Sequence, residues 1–259
     1  MLKFSNANAK TEALKQVPEL AEYLKDKRKI YSLDLLSGYS CPYAEKCLSK
    51  ATVDITTGKR KIKDGLKTEF RCFSASQEVQ YNNVYNLRKH NYYTLKQSDN
   101  MELLLMDSLP KNAGIVRIHV AGDFFNSEYM SAWWTLAYLN PKVLFYAYTK
   151  SLRYWLQTVT EMPILDNFVL TASYGGRDDH LIDDPTFNFR SAKVVFSEAE
   201  AGELGLEIDH DDSHAARPSM RDKDFALLIH GTQPKGTKAS EALRALKGKG
   251  SYSRKKKGV

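Results

Sequence analysis

The chain has 259 residues, 42% of them apolar and 27% charged, with a formal net charge of +7. That composition is globular and long enough to bury a full core, as one α/β domain or two small ones. No run approaches the ~18 apolar residues of a membrane helix, and the opening MLKFSNANAKTEALK lacks the apolar centre of a signal peptide, so the expected location is the cytoplasm, a reducing compartment.

Residues 1–29 read as an N-terminal helical segment, with Leu14, Val17, Leu20 and Leu24 at helical spacing and an interruption at Pro18. Residues 30–36 alternate enough to form a strand, which leads directly into GYSCPYAEKC. The chain's cysteines, Cys41, Cys47 and Cys72, all fall in the stretch that follows, with spacing Cys-x5-Cys-x24-Cys. An odd thiol count in a reducing compartment argues against disulfides and leaves metal binding or incidental burial. The spacing is neither that of a zinc ribbon nor that of a ferredoxin run.

Between the second and third thiols, ATVDITTGKRKIKDGLKTEF carries two glycine turns and a basic cluster, which predicts an exposed hairpin. Ser74 and Gln77 have capping-box spacing, so a helix is expected to start there and run to about Met106. Free amides at such a helix start, with Arg71 and Lys46 close in sequence, would stabilise thiolates and cluster sulfides.

From there the chain alternates short apolar runs with helix-length segments: 115–121, 143–149, 167–173, 192–198 and 225–231. Intervals of about 25 to 33 residues between run starts suit βαβ units, and near-continuous apolar strands suit a sheet covered on both faces. The expected fold is therefore α/β: a parallel sheet with flanking helices, either open or closed into a complete or partial TIM-like barrel. Residues 30–246 would form that single domain.

In such folds the functional surface gathers at the carboxyl ends of the strands. The residues expected there are Asp123 beside Gly122, Lys150 after Thr149, Ser173 before Gly175-Gly176, Glu198 after Ser197, and His230 beside Gly231. Asp123 and Ser197 could equally cap the helices that follow, and Gly175-Gly176 could let backbone approach a phosphate or a cofactor carboxylate. His119, inside an apolar run, reads as a satisfied core residue. His180 and the group Asp209, His210, Asp211, Asp212 and His214 could hold a divalent metal, or form a polar loop closed by Asx turns. Phosphate-loop, dinucleotide, zinc-protease and nucleophile-elbow motifs are absent.

Residues 247–259 form a basic tail, with Lys247, Lys249, Arg254, Lys255, Lys256 and Lys257 supplying six positive charges and no acid among them. Such a tail is either a disordered, solubilising end or a weak nucleic-acid arm through Lys255, Lys256 and Lys257.

In order along the chain, GYSCPYAEKCLSKA, TEFRCFSASQE, VRIHVAGDFF, LFYAYTK, FVLTASYGG, GLEIDHDDSHA and FALLIHGTQPKG resemble the phage protein family called gene product 88. The resemblance implies a phage-encoded iron-sulfur protein in the cytoplasm of the infected bacterial host, with Cys41, Cys47 and Cys72 matching the family's motif cysteines. A more distant likeness is to radical SAM enzymes, in which three cysteines hold a [4Fe-4S] cluster at the top of a parallel barrel and S-adenosylmethionine takes the fourth iron; their Cys-x3-Cys-x2-Cys loop is not the spacing here. The expected functions are a three-cysteine [4Fe-4S] protein with a redox or electron-transfer role and a redox partner, or a radical-SAM-like enzyme with a small-molecule ligand at the fourth iron. A zinc-stabilised nucleic-acid-binding protein and a structural protein with incidental thiols are the remaining options. None of these involves a membrane.

Overall fold

The computed structural model describes residues 1–247, so Lys255, Lys256 and Lys257 of the basic tail lie outside the described residues. Ten strands are present among the described residues: β1 (Ser5–Asn6), β2 (Lys29–Leu33), β3 (Ser49–Val53), β4 (Arg60–Asp64), β5 (Ala113–Ile118), β6 (Leu144–Thr149), β7 (Phe168–Ser173), β8 (Ser191–Val195), β9 (Glu207–Ile208) and β10 (Phe225–Leu228). Eight of them form one sheet in the order β1-β2-β5-β6-β7-β8-β10-β9, while β3 and β4 pair separately as the expected antiparallel hairpin. Every neighbouring pair in the large sheet is parallel except β1 with β2.

From β2 to β10 the long strands stand side by side in chain order, as they would in a barrel laid open. Among the described residues the strand pairing does not close into a complete barrel. The free edge of β2 is taken by β1 in the antiparallel sense, and the opposite edge ends in the two-residue β9. The expected α/β fold, a mostly parallel sheet with flanking helices, is the one adopted.

Alternation along the strands builds two cores, because successive side chains leave opposite faces of a sheet. Leu33, Val116, Ile118, Phe145, Ala147, Phe168 and Leu170 point to one face, against the helices Met101–Ser108, Ser127–Leu139 and Leu152–Glu161. Ile30, Ile115, Leu144, Tyr146, Val169, Ala192 and Phe225 point to the other, against Leu14, Leu20, Ala215 and Ala216. The helix Ser127–Leu139 shows the local logic. Asn126 caps it by accepting from the Tyr129 amide at 2.9 Å, and Tyr129, Trp133 and Leu136 then fall on one fully buried stripe. Burial of each such large side chain contributes about 1.5–3 kcal/mol.

On the second face the cover is incomplete. The short helix Ala9–Glu12, the 3-10 turns Ala13–Gln16 and Pro18–Leu24, and the helix Ser213–Ala216 seal its amino-terminal half. The next inward-facing residues along each strand, Arg117, Tyr148, Val194 and Leu227, line an open cleft instead.

The helical stretch after the third cysteine is three helices, Phe73–Gln80, Asn82–Lys96 and Met101–Ser108. The predicted capping box does not form. Cys72 is itself the N-cap residue, and Ser74 Oγ donates to the Val120 carbonyl at 3.3 Å. Among the described residues, no helix is long and apolar enough to cross a membrane.

Candidate functional site

Two chain segments deliver the thiols to one place. After β2 the backbone turns at Gly38, whose φ is +72° and where a Cβ would stand 2.5 Å from the Ser49 carbonyl oxygen; only glycine tolerates both. The Gly38 amide donates to Cys41 Sγ at 3.4 Å. The loop that carries Cys41 and Cys47 then docks on the end of β7: Ala44 bridges Gly176, the Glu45 and Lys46 amides donate to the Gly175 carbonyl at 3.1 and 2.9 Å, and the Arg177 amide donates to the Tyr43 carbonyl. Gly175-Gly176 thus admits the cysteine loop's own backbone rather than that of a ligand.

Cys72 arrives at the start of the helix Phe73–Gln80, where the Ser74 and Ala75 amides point at its sulfur. Gly231, at φ +78°, lets the end of the β10 segment lie against Phe73, since a Cβ there would stand 2.5 Å from the Phe73 Cβ. Arg71 and Lys46 do not serve the thiols as expected. Arg71 is engaged by Asp64, with Nε 3.1 Å from Oδ1, and Lys46 by Glu69 at 3.0 Å.

Cys41, Cys47 and Cys72 line the same cleft, whose volume is about 480 Å³. Asp123, Lys150, Ser173 and His230 line it too, as the strand-end argument expects. Glu198 does not. Strand β8 stops at Val195, Ser197 caps the helix Glu198–Glu203 through the Glu200 amide at 3.0 Å, and Glu198 faces solvent in its first turn. His180 is exposed as well.

Within the cleft Asp123 acts as an organiser of the β5 and β6 ends. Its Oδ1 accepts from Thr149 Oγ1 at 2.6 Å and the Phe124 amide at 2.8 Å, and its Oδ2 accepts from the Lys150 amide at 2.8 Å. Burial pushes its pKa up, partly offset by these hydrogen bonds. His119 follows β5 with φ +69°, an unfavourable conformation for a residue with a Cβ. Its Nε2 lies 3.0 Å from Tyr129 Oη, and burial pushes its pKa down to about 3, so the ring is neutral. Burial also takes His230 down to about 4.

Two of the thiols, Cys41 and Cys72, are disfavoured as thiolates. Burial and the neighbouring Cys47 push Cys72 up to about 11 despite the helix-start amides. Burial, Asp123 and Cys72 raise Cys41 well above an ordinary thiol. The cleft therefore holds these thiols protonated at neutral pH in the absence of an added positive charge.

Two buried networks that the sequence reading did not anticipate hold this arrangement. Glu78 accepts from the Ser37 amide at 3.0 Å and Ser37 Oγ at 2.8 Å, and pairs with Arg88 at 3.2 Å, tying the first cysteine loop to the helix behind Cys72. At the cleft floor Asp212 pairs with Arg117, accepts from Tyr146 Oη at 3.0 Å and meets Lys10 at 2.8 Å. The Asp209 to His214 stretch is closed by Asx-type hydrogen bonds, as the polar-loop alternative expects. The Asp211 amide donates to Asp209 Oδ1, the Ser213 amide donates to Asp211 Oδ1, and His214 Nε2 lies 2.9 Å from Glu207. Among the described residues, no group of three or more His, Cys, Asp or Glu side chains is arranged to hold a metal ion.

An open, mostly parallel α/β sheet with its cysteines gathered in a cleft at the carboxyl ends of the strands is the class that fold and site define. A family model described as Gene product 88 matches residues 1–248, and the chain belongs to that family. No curated protein and no solved structure matches it.

Proposed function

We propose that the chain is an iron-sulfur protein in which Cys41, Cys47 and Cys72 hold a [4Fe-4S] cluster and the fourth iron opens onto the adjoining cleft. The observation that carries this reading is the convergence of three thiols, from segments up to 31 residues apart, on one cleft at the functional end of a parallel sheet. The raised pKa values of Cys41 and Cys72 support it. Thiols raised in this way are ionised by an added positive centre; of the cations near them, Arg71 and Lys46 are committed to carboxylates and Lys150 donates to Ser173.

Thiolates bound to separate irons of a cluster stand farther apart than those sharing one zinc at Zn–S distances of ~2.3 Å. The nucleic-acid reading has less support, because Arg60 of the basic hairpin is engaged with the Glu78 carbonyl and the Tyr85 ring. When bound, the cluster would supply one-electron chemistry and a Lewis-acidic iron. The cleft beside the thiols favours an enzyme that uses the open iron over a pure electron carrier, and S-adenosylmethionine is the first small molecule to test there.

Protein prepared without oxygen should contain iron and acid-labile sulfide in equal amounts, about four of each per chain. Replacing Cys41, Cys47 or Cys72 by Ala should lose or degrade the cluster. Stoichiometric zinc without sulfide, after reconstitution with both metals present, would overturn the reading. A shifted paramagnetic resonance spectrum of the reduced cluster on adding S-adenosylmethionine would support the radical enzyme, and an unchanged one the redox protein.

A further inference from the structure

Lys150 is the cleft residue whose chemistry is left incomplete by the fold. It is 9% exposed, although a lysine is seldom that buried without a counter-ion. Its Nζ donates to Ser173 Oγ at 2.6 Å and to the Ser173 carbonyl at 3.2 Å. Those partners are neutral and take two of the three ammonium protons. Among the described residues no carboxylate stands within ion-pair distance of Nζ, and both oxygens of Asp123 are already occupied by Thr149, Phe124 and the Lys150 amide.

The placement of the ammonium is built rather than accidental. Its stem runs past the glycine pair that anchors the cysteine loop: a Cβ at Gly176 would lie 3.2 Å from Lys150 Cβ, and one at Gly175 would lie 3.8 Å from Lys150 Cε. Ser173 fixes the head group, and both residues line the cleft that holds the three thiols. A buried, positioned cation with a spare proton, acted on by Asp123 only at a longer range than an ion pair, favours an oxyanion through a charge-assisted hydrogen bond.

We infer that Lys150 and Ser173 form the subsite for an anionic oxygen group, a carboxylate or a phosphate, of the small molecule that occupies the cleft. This deepens the reading of the cleft as a ligand site and rests on it. The anion contact itself needs no cluster, so it is measured on metal-free protein and fails or stands separately from the iron chemistry.

Inorganic phosphate and acetate serve as minimal probes, titrated into the full chain while the backbone amide signals of Lys150 and Ser173 are followed by NMR. A saturable shift with either probe is expected. Saturation by phosphate alone identifies a phosphate subsite, and saturation by acetate alone a carboxylate subsite. Lys150→Gln should weaken binding about tenfold or more, the worth of one hydrogen bond to a charged group. Lys150→Arg should retain much of the affinity, and Lys193→Gln, in a separate pocket lined also by Tyr174, Asp183 and Asp224, should leave it unchanged. Ser173→Ala, read the same way, covers the case in which the Lys150 variant does not fold, and should also weaken binding. No saturable shift with either probe overturns the inference, as does affinity unchanged from the parent in both Lys150→Gln and Ser173→Ala. Reduced iron content in Lys150→Gln with unaltered probe binding would assign the ammonium to balancing the cluster's charge and would also overturn it.

Discussion

Asp212→Asn tests whether the floor of the cleft is held by charge. The Asp212 side chain is fully buried and is the carboxylate partner of Arg117, whose side chain is 11% exposed; Lys10, at 26%, shares it. Its backbone φ of +64° is one that asparagine also adopts, so the substitution removes charge without backbone strain. Breaking a buried pair by neutralising one partner costs about 3–5 kcal/mol, because the remaining ion is left uncompensated. Asn can still accept from Tyr146 Oη and Lys10 reaches solvent, which places the expected loss near the lower bound, about 3 kcal/mol. For a chain of this size that corresponds to a drop in Tm of roughly 6–12 °C. Urea unfolding followed by far-ultraviolet circular dichroism and by tryptophan fluorescence reads the loss, and coincident transitions justify two-state treatment. The double variant Arg117→Met with Asp212→Asn leaves no buried unpaired guanidinium, so it should be less destabilised than the sum of the single changes by about 1 kcal/mol or more. A stability for Asp212→Asn within about 0.5 kcal/mol of the parent would refute the reasoning.

Gly231→Ala forces a Cβ against Phe73 in a left-handed conformation, with an expected cost of about 2–4 kcal/mol from strain and overpacking combined. Because Phe73 follows Cys72, iron uptake on reconstitution should fall as well; unchanged uptake and stability would remove Gly231 from the site's support. The ion pair with Asp209, 3.8 Å from Nδ1, and the contact with Glu207 raise the pKa of His214 above its ordinary value of about 6.5. A raised folded-state value means that this contribution to stability is fully present below about pH 6.5 and is lost as pH rises through the folded value. Unfolding free energies measured from pH 5.5 to 8.5, where other groups also contribute, should therefore show a decline that His214→Gln makes shallower. An identical slope in the variant would show that the contact does not stabilise the fold.

The sheet was legible in the sequence because a parallel strand buried on both faces is a short apolar run, and five such runs with βα intervals are hard to produce otherwise. The same rule led to Asp123, Lys150, Ser173 and His230, since each strand ends at a common edge. It failed at Glu198 because β8 stops at Val195 and Glu198, directly after the Ser197 cap, is exposed at the start of the helix. The hairpin between the second and third cysteines was also readable, from turn residues alone.

What the sequence determined by itself is local: apolar periodicity, turn chemistry, and an odd set of thiols whose spacing is neither that of a zinc ribbon nor that of a ferredoxin run. That the edge of β2 is covered by the two-residue β1, too short to leave a sequence signal, was decided only in the tertiary structure. The pairing of Arg117 with Asp212, 95 residues apart, and the docking of the cysteine loop on Gly175-Gly176 were likewise decided only in three dimensions. Contacts between residues distant in the chain depend on where rigid elements bring them together, and no periodicity within either segment encodes that meeting.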